Sequence, residues 1–151
     1  MPLWQIYAPA DNYTAADKRA FAGRVADLYV DVTKMPKFYV NVIFHDLDAD
    51  SFYIGGEPRS NFVRISIDHI ARKVSAEHRQ WWMRQVDKAI APWVADRGLD
   101  WEIHIDETPR DFWTVQGFVP PETGSEDERR WRDENCPSQP TAKSAPDSSG
   151  T

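Results

Sequence analysis

A strand, a capped helix and a second strand occur twice in this sequence, as residues 2–44 and again as residues 62–106, and the two copies keep step. Thr14 and Ser75, each placed to cap a helix, stand 61 positions apart, and so do Val42 and Ile103 in the closing strands. In the first copy, Thr14 with Asp17 three residues on has the pattern of a helix N-cap. Phe21, Val25, Leu28 and Val32 then recur at helical spacing, and Pro36 stops the helix near Lys34. Residues 38–44 are rich in β-formers, with Tyr39, Val40, Val42 and Ile43 in close order, which predicts a strand covered on both faces and central in its sheet. In the second copy, Phe62, Arg64, Ser66 and Asp68 alternate with Val63, Ile65, Ile67 and His69, the pattern of a half-buried strand. Ser75 opens a helix with Trp82, Val86, Ile90 and Trp93 on one face, which Pro92 must kink or divide and Gly98 closes. Trp101, Ile103 and Ile105 then alternate with Glu102, His104 and Asp106.

Each copy has room for a crossover helix, so its two strands are expected to be parallel. Two such units side by side make a four-stranded α+β sheet with both helices on one face. Apolar strand positions on both faces predict that the second face is covered by other subunits in a closed ring. Between the copies, Asp46, Asp48 and Asp50 form an acidic turn without the glycine and closing Glu of a calcium loop. A short strand or arm, residues 51–54, then ends at Gly55-Gly56. After the second copy, residues 107–135 comprise an aromatic segment around Phe112, Trp113 and Phe118, expected to roof a pocket or pack on a neighbour, and a short charged helix around Trp131. The chain of 151 residues is thus expected to form one domain over 1–135, with a disordered tail of Ser, Pro, Ala and Thr at 136–151. A net charge of -6 argues against nucleic acid or an anionic membrane as the main partner. The single cysteine, Cys136, precludes an intrachain disulfide framework, and no run approaches the ~18 apolar residues of a membrane span, so a cytoplasmic setting is expected.

Chemistry enters at the start of the chain. Pro2 follows Met1, and removal of Met1 would leave a secondary amine on a rigid ring. An α-amino group titrates near ~8 unperturbed, so modest burial or a nearby cation makes it a general base at neutral pH. A tandem β-α-β chain that begins Met1-Pro2 resembles the tautomerase superfamily. Residues 35–44 (MPKFYVNVIF), the 50–54 arm (DSFYI), and 105–109 (IDETP) followed by Gly117-Phe118 resemble in particular the branch of cis-3-chloroacrylic acid dehalogenase. The resemblance implies a homotrimer of tandem units with one proline site per chain and no cofactor. Residue by residue it implies Pro2 as the catalytic amine, with Tyr29 where that branch has a helix His and His104 where it has a Tyr. His69 and Arg72 fall at its paired arginines, and Val115 stands at its Glu with Gln116 beside it.

Pro2, Tyr29 and His104 are therefore the candidate catalytic residues, and Arg72, His69 and Gln116 the candidate substrate contacts, with Arg72 able to clamp a carboxylate. Loss of both the His and the Glu removes the branch's means of activating water, so hydration and hydrolytic dehalogenation are not expected. What remains suits cofactor-free proton transfer next to the carbonyl of a small enolisable or unsaturated oxo acid. Two alternatives share the fold: a specialised proton-transfer or ring-closing enzyme of secondary metabolism, and a trimeric binding or scaffold protein without activity. No pair of histidines has a metal-binding spacing.

Overall fold

The computed structural model describes residues 1–141; the remainder of the expected tail, residues 142–151, lies outside the described residues. The elements run β1 (Pro2–Pro9), α1 (Ala15–Thr33), β2 (Asn41–Leu47), the hairpin β3 (Tyr53–Ile54) and β4 (Glu57–Pro58), β5 (Phe62–Ile70), α2 (Arg79–Ile90), β6 (Asp100–Thr108) and α3 (Glu126–Glu134). The main sheet has the order β2-β1-β5-β6. β1 and β2 are parallel, as are β5 and β6, while β1 and β5 are antiparallel at the centre. Each repeat is thus a parallel β-α-β unit, and the two units meet head to tail through their first strands.

Alternation explains why the helices cover one face. Trp4, Ile6 and Ala8 of β1 and Val63, Ile65 and Ile67 of β5 are all buried on the same side, where Phe21, Val25 and Leu28 of α1 and Trp82, Val86 and Ile90 of α2 meet them. Burying side chains of this size stabilises the fold by roughly 1.5–3 kcal/mol each before entropy is counted. Thr14 and Asp17 form a full capping box on α1, and Lys34 in the left-handed conformation closes it. The second helix is built less tightly: Ser75 leads into a short 3-10 turn at Ala76–His78 and makes no side-chain cap. Pro92 falls just after the end of α2 at Ile90, and 3-10 turns carry the chain to Gly98, whose φ of 70° ends it.

Two expectations are corrected. The strand expected at residues 38–44 to be central is displaced and lies at the sheet edge. Lys37–Tyr39 forms a 3-10 turn that turns Phe38 and Tyr39 against Trp131, and β2 starts only at Asn41 and pairs on one side with β1. The second face is not apolar, because Val42, Phe44, Ile103 and Ile105 lie in the same rows as the covered residues. What remains opposite is mostly polar, with Gln5, Ser66 and His104 in one row beside the exposed Ile43, and Tyr7, Arg64 and Glu102 in the next. The argument for assembly from a bare apolar sheet therefore falls. In the aromatic segment Trp113 is buried against Tyr39, Phe112 is 81% exposed, and neither lines the cavity at the chain terminus.

Ser125 caps α3 by accepting from the Glu128 backbone N–H, and Trp131 is completely buried. Contrary to the expectation of disorder from residue 136, Trp131 Nε1 donates to Ser138 O and Thr141 N donates to Asp127 Oδ2, so residues 138–141 are tied back to α3. Among the described residues, no helix is long and apolar enough to cross a membrane.

Candidate active site

The antiparallel centre of the sheet puts the beginning of the chain beside the end of β5. Pro2 pairs with His69, and both point to the helix-covered side, where α1 presents Tyr29. Pro2, Tyr29, His69 and Arg72 line one cavity of about 360 Å³, with Trp81 and Trp82 of α2 forming much of its wall. That size suits a small organic ligand.

Tyr29 is 2% exposed, and its hydroxyl has two polar neighbours. Trp4 Nε1 donates to it at 3.1 Å, and His69 Nε2 lies 2.8 Å away. An indole N–H can only donate, so the phenolic proton is satisfied only if it goes to His69 Nε2. The imidazole is then neutral with its proton on Nδ1. Burial, reinforced by the nearby terminal ammonium and opposed by Glu107, holds His69 down at about 4. Burial likewise pushes the Tyr29 phenol well above its usual value. At neutral pH the relay from Trp4 through Tyr29 to His69 thus carries no charge, and His69 is a donor rather than a cation.

The terminal amine, here on Met1, donates to Ile70 O at 2.5 Å. Burial lowers it to about 5, helped by Arg72 and opposed by Glu128. While Met1 is present, the Pro2 nitrogen is a peptide nitrogen and has no basicity. Arg72 Nη1 donates to Thr33 O at 3.2 Å, and Nη2 donates to Glu128 Oε1 at 2.8 Å. Glu128 is only 7% exposed, and its Oε2 accepts from Gly124 N at 2.7 Å.

The structure therefore gathers four of the six residues singled out in the sequence and separates two. His104 is on the opposite face of the sheet, bonded to Arg64 and 3.3 Å from Asp106, because its neighbours Ile103 and Ile105 take the covered side. Gln116 is exposed in the tight turn between Val115 and Phe118, where its φ of 51° helps reverse the chain, and it does not reach the cavity. Sequence reasoning missed Trp4, Trp81 and above all Glu128. Ser125 followed three residues on by Glu128 signals a helix start, but nothing local indicates that this carboxylate meets Arg72, 56 positions away. Among the described residues, no group of three or more His, Cys, Asp or Glu side chains could hold a metal ion.

Comparison with known proteins agrees with this architecture. Native RhCC from Rhodococcus jostii RHA1 is 44% identical, with a TM-score of 0.87 over 89% of this chain and 97% of that one. N1, a member of the cis-3-chloroacrylic acid dehalogenase family, shares the fold at 22% identity, with a TM-score of 0.72 over 88% of this chain and 97% of that one. A fused 4-OT asymmetric trimer shares it at 19% identity, with a TM-score of 0.65 over 77% of this chain and 94% of that one. None of the curated proteins matches in sequence. Residues 1–136 match the Tautomerase_3 family, described as "Putative oxalocrotonate tautomerase enzyme". The chain therefore belongs to that family and to the tautomerase superfamily, where it resembles the cis-3-chloroacrylic acid dehalogenase branch.

Proposed function

We propose that this protein is a cofactor-independent tautomerase in which the Pro2 amine, freed by removal of Met1, moves a proton between an enol oxygen and the adjacent carbon. The observation that carries the reading is the position of the chain terminus: Pro2 opens into a cavity opposite His69, where burial depresses the terminal amine while the charges of Arg72 and Glu128 oppose each other. A neutral amine is a base. It takes the enol hydroxyl proton, the electron pair shifts to form the carbonyl, and the same proton is returned to carbon, so no cofactor or net redox change is needed. His69 Nδ1–H, held in that tautomer by Tyr29, donates to the oxygen as charge develops there, and neutral donors in a dry site do this without reorganising. The rate should rise with pH through an amine pKa below the ~8 of a free terminus.

The reading includes a trimer, supported by the fold shared with the fused 4-OT trimer, and a cytoplasmic location. Light scattering that finds a stable monomer would remove the trimer. For the chemistry, intact mass should show that the active chain begins at Pro2. Acetylating that terminus should lower turnover of an enol substrate by at least about a hundredfold, because an amide cannot act as the base. Undiminished turnover after acetylation would exclude the amine as catalyst. Retention of Met1 on the purified chain would instead favour the reading as a binding protein.

A further inference from the structure

Arg72 is the residue that sequence reasoning offers as a carboxylate clamp, yet its charge is already balanced within the chain. Its Nη2 donates to Glu128 Oε1 at 2.8 Å, and Nη1 is turned to Thr33 O. The carboxylate that balances it is anchored. Glu128 is 7% exposed and tied through Oε2 to Gly124 N, on a helix whose Trp131 is fully buried against Phe38 and Tyr39. A ligand carboxylate entering beside Arg72 would meet a neutral pair with a fixed negative charge behind it, and so would give up its hydration without a net opposite charge. Lys73 also lines the cavity, but it is exposed, where water and salt screen it. The wall itself is apolar, with Val32, Met35, Trp81 and Trp82, and Val32 and Trp81 remain 44% and 42% exposed with no covering group among the described residues.

We propose that the cavity selects a substrate uncharged at its reacting end, an enol or carbonyl compound with an aromatic or branched apolar body, and that Glu128 sets this selection by cancelling Arg72. The proposal rests on the Pro2 reading for the identity of the reacting end, and it replaces the oxo acid expected from the sequence. Its test uses two unreactive ligands of one shape, hydrocinnamamide and hydrocinnamate, titrated by tryptophan fluorescence against the purified chain whose terminus has been read by mass. The neutral amide should bind the unaltered protein at least about tenfold more tightly than the carboxylate. Glu128→Gln keeps the acceptor for Gly124 N but removes the charge. It should raise affinity for hydrocinnamate by about tenfold or more and leave the amide within about threefold.

Tighter binding of the carboxylate to the unaltered protein overturns the proposal, as does a ratio that Glu128→Gln does not move or the failure of both ligands to bind at millimolar concentration. If the variant does not fold, as judged by circular dichroism, the ratio in the unaltered protein decides alone. Neither ligand reacts, so this result is independent of proton transfer, which acetylation of the terminus decides separately.

Discussion

The two faces of the central sheet each carry a histidine, and the two are held in opposite states. On the covered face, His69 is 5% exposed and receives the Tyr29 proton at Nε2, so its own proton is on Nδ1. On the open face, Arg64 Nη2 donates to His104 Nδ1 at 2.7 Å, which leaves the proton on Nε2, toward Asp106 Oδ2 at 3.3 Å and Ser66 Oγ at 3.4 Å. One ring is dry, neutral and part of the cavity beside Pro2, while the other belongs to a wet network of ion pairs that includes Arg64 with Glu102. The contrast shows that strand parity, more than residue type, decides which histidine can take part in chemistry. A His on β6 one position earlier or later would have faced the helices.

The largest expected effect separates the faces by pH. His69 is held at about 4 against an ordinary 6.5, so between those values the unfolded chain binds more protons than the folded one. The His69 contribution to stability is then full above pH 6.5 and is lost as pH drops toward 4, by up to about 3 kcal/mol at ~1.4 kcal/mol per pH unit. The buried terminal amine, lowered from 8.0 to about 5, adds a loss of the same sign between those values. Urea denaturation across this range should show the loss in the unaltered protein, and His69→Gln should remove the His69 part of the slope while keeping the part that belongs to the terminal amine. Parallel profiles would mean that burial does not hold the ring neutral.

Next in size, Tyr29→Phe leaves Trp4 Nε1 and His69 Nε2 without their partner. It should cost about 1–3 kcal/mol in stability. Turnover should fall by roughly tenfold, because the imidazole proton is no longer confined to Nδ1. Unchanged turnover with lowered stability would reduce the relay to a packing role.

The smallest effect is expected on the open face. His104→Gln removes a half-exposed partner of Arg64 and Asp106 and should change stability by less than about 1 kcal/mol, as exposed ion pairs do. Turnover should stay within about twofold, equivalent to a few tenths of a kcal/mol in the barrier. A much larger loss of turnover with stability intact would mean that a second copy of the chain presents its open face to the cavity.

Local chemistry determined much of this protein. The Thr14–Asp17 capping box, the stop at Lys34, the division at Pro92, and the alternations through Ile65 and Ile103 all follow from interactions within a few residues. The 61-residue repeat, and with it the four-stranded sheet with two helices on one face, could be read from the same signals. Tertiary structure alone decided that β2 lies at the edge, because pairing partners are chosen between strands, and that Tyr39 leaves the strand to pack on Trp113 and Trp131. It also decided that Pro2 meets His69 and that Glu128 meets Arg72, contacts spanning 67 and 56 positions in the chain. Periodicity tells which side of an element a residue faces, but the neighbour waiting there depends on how distant elements share one core.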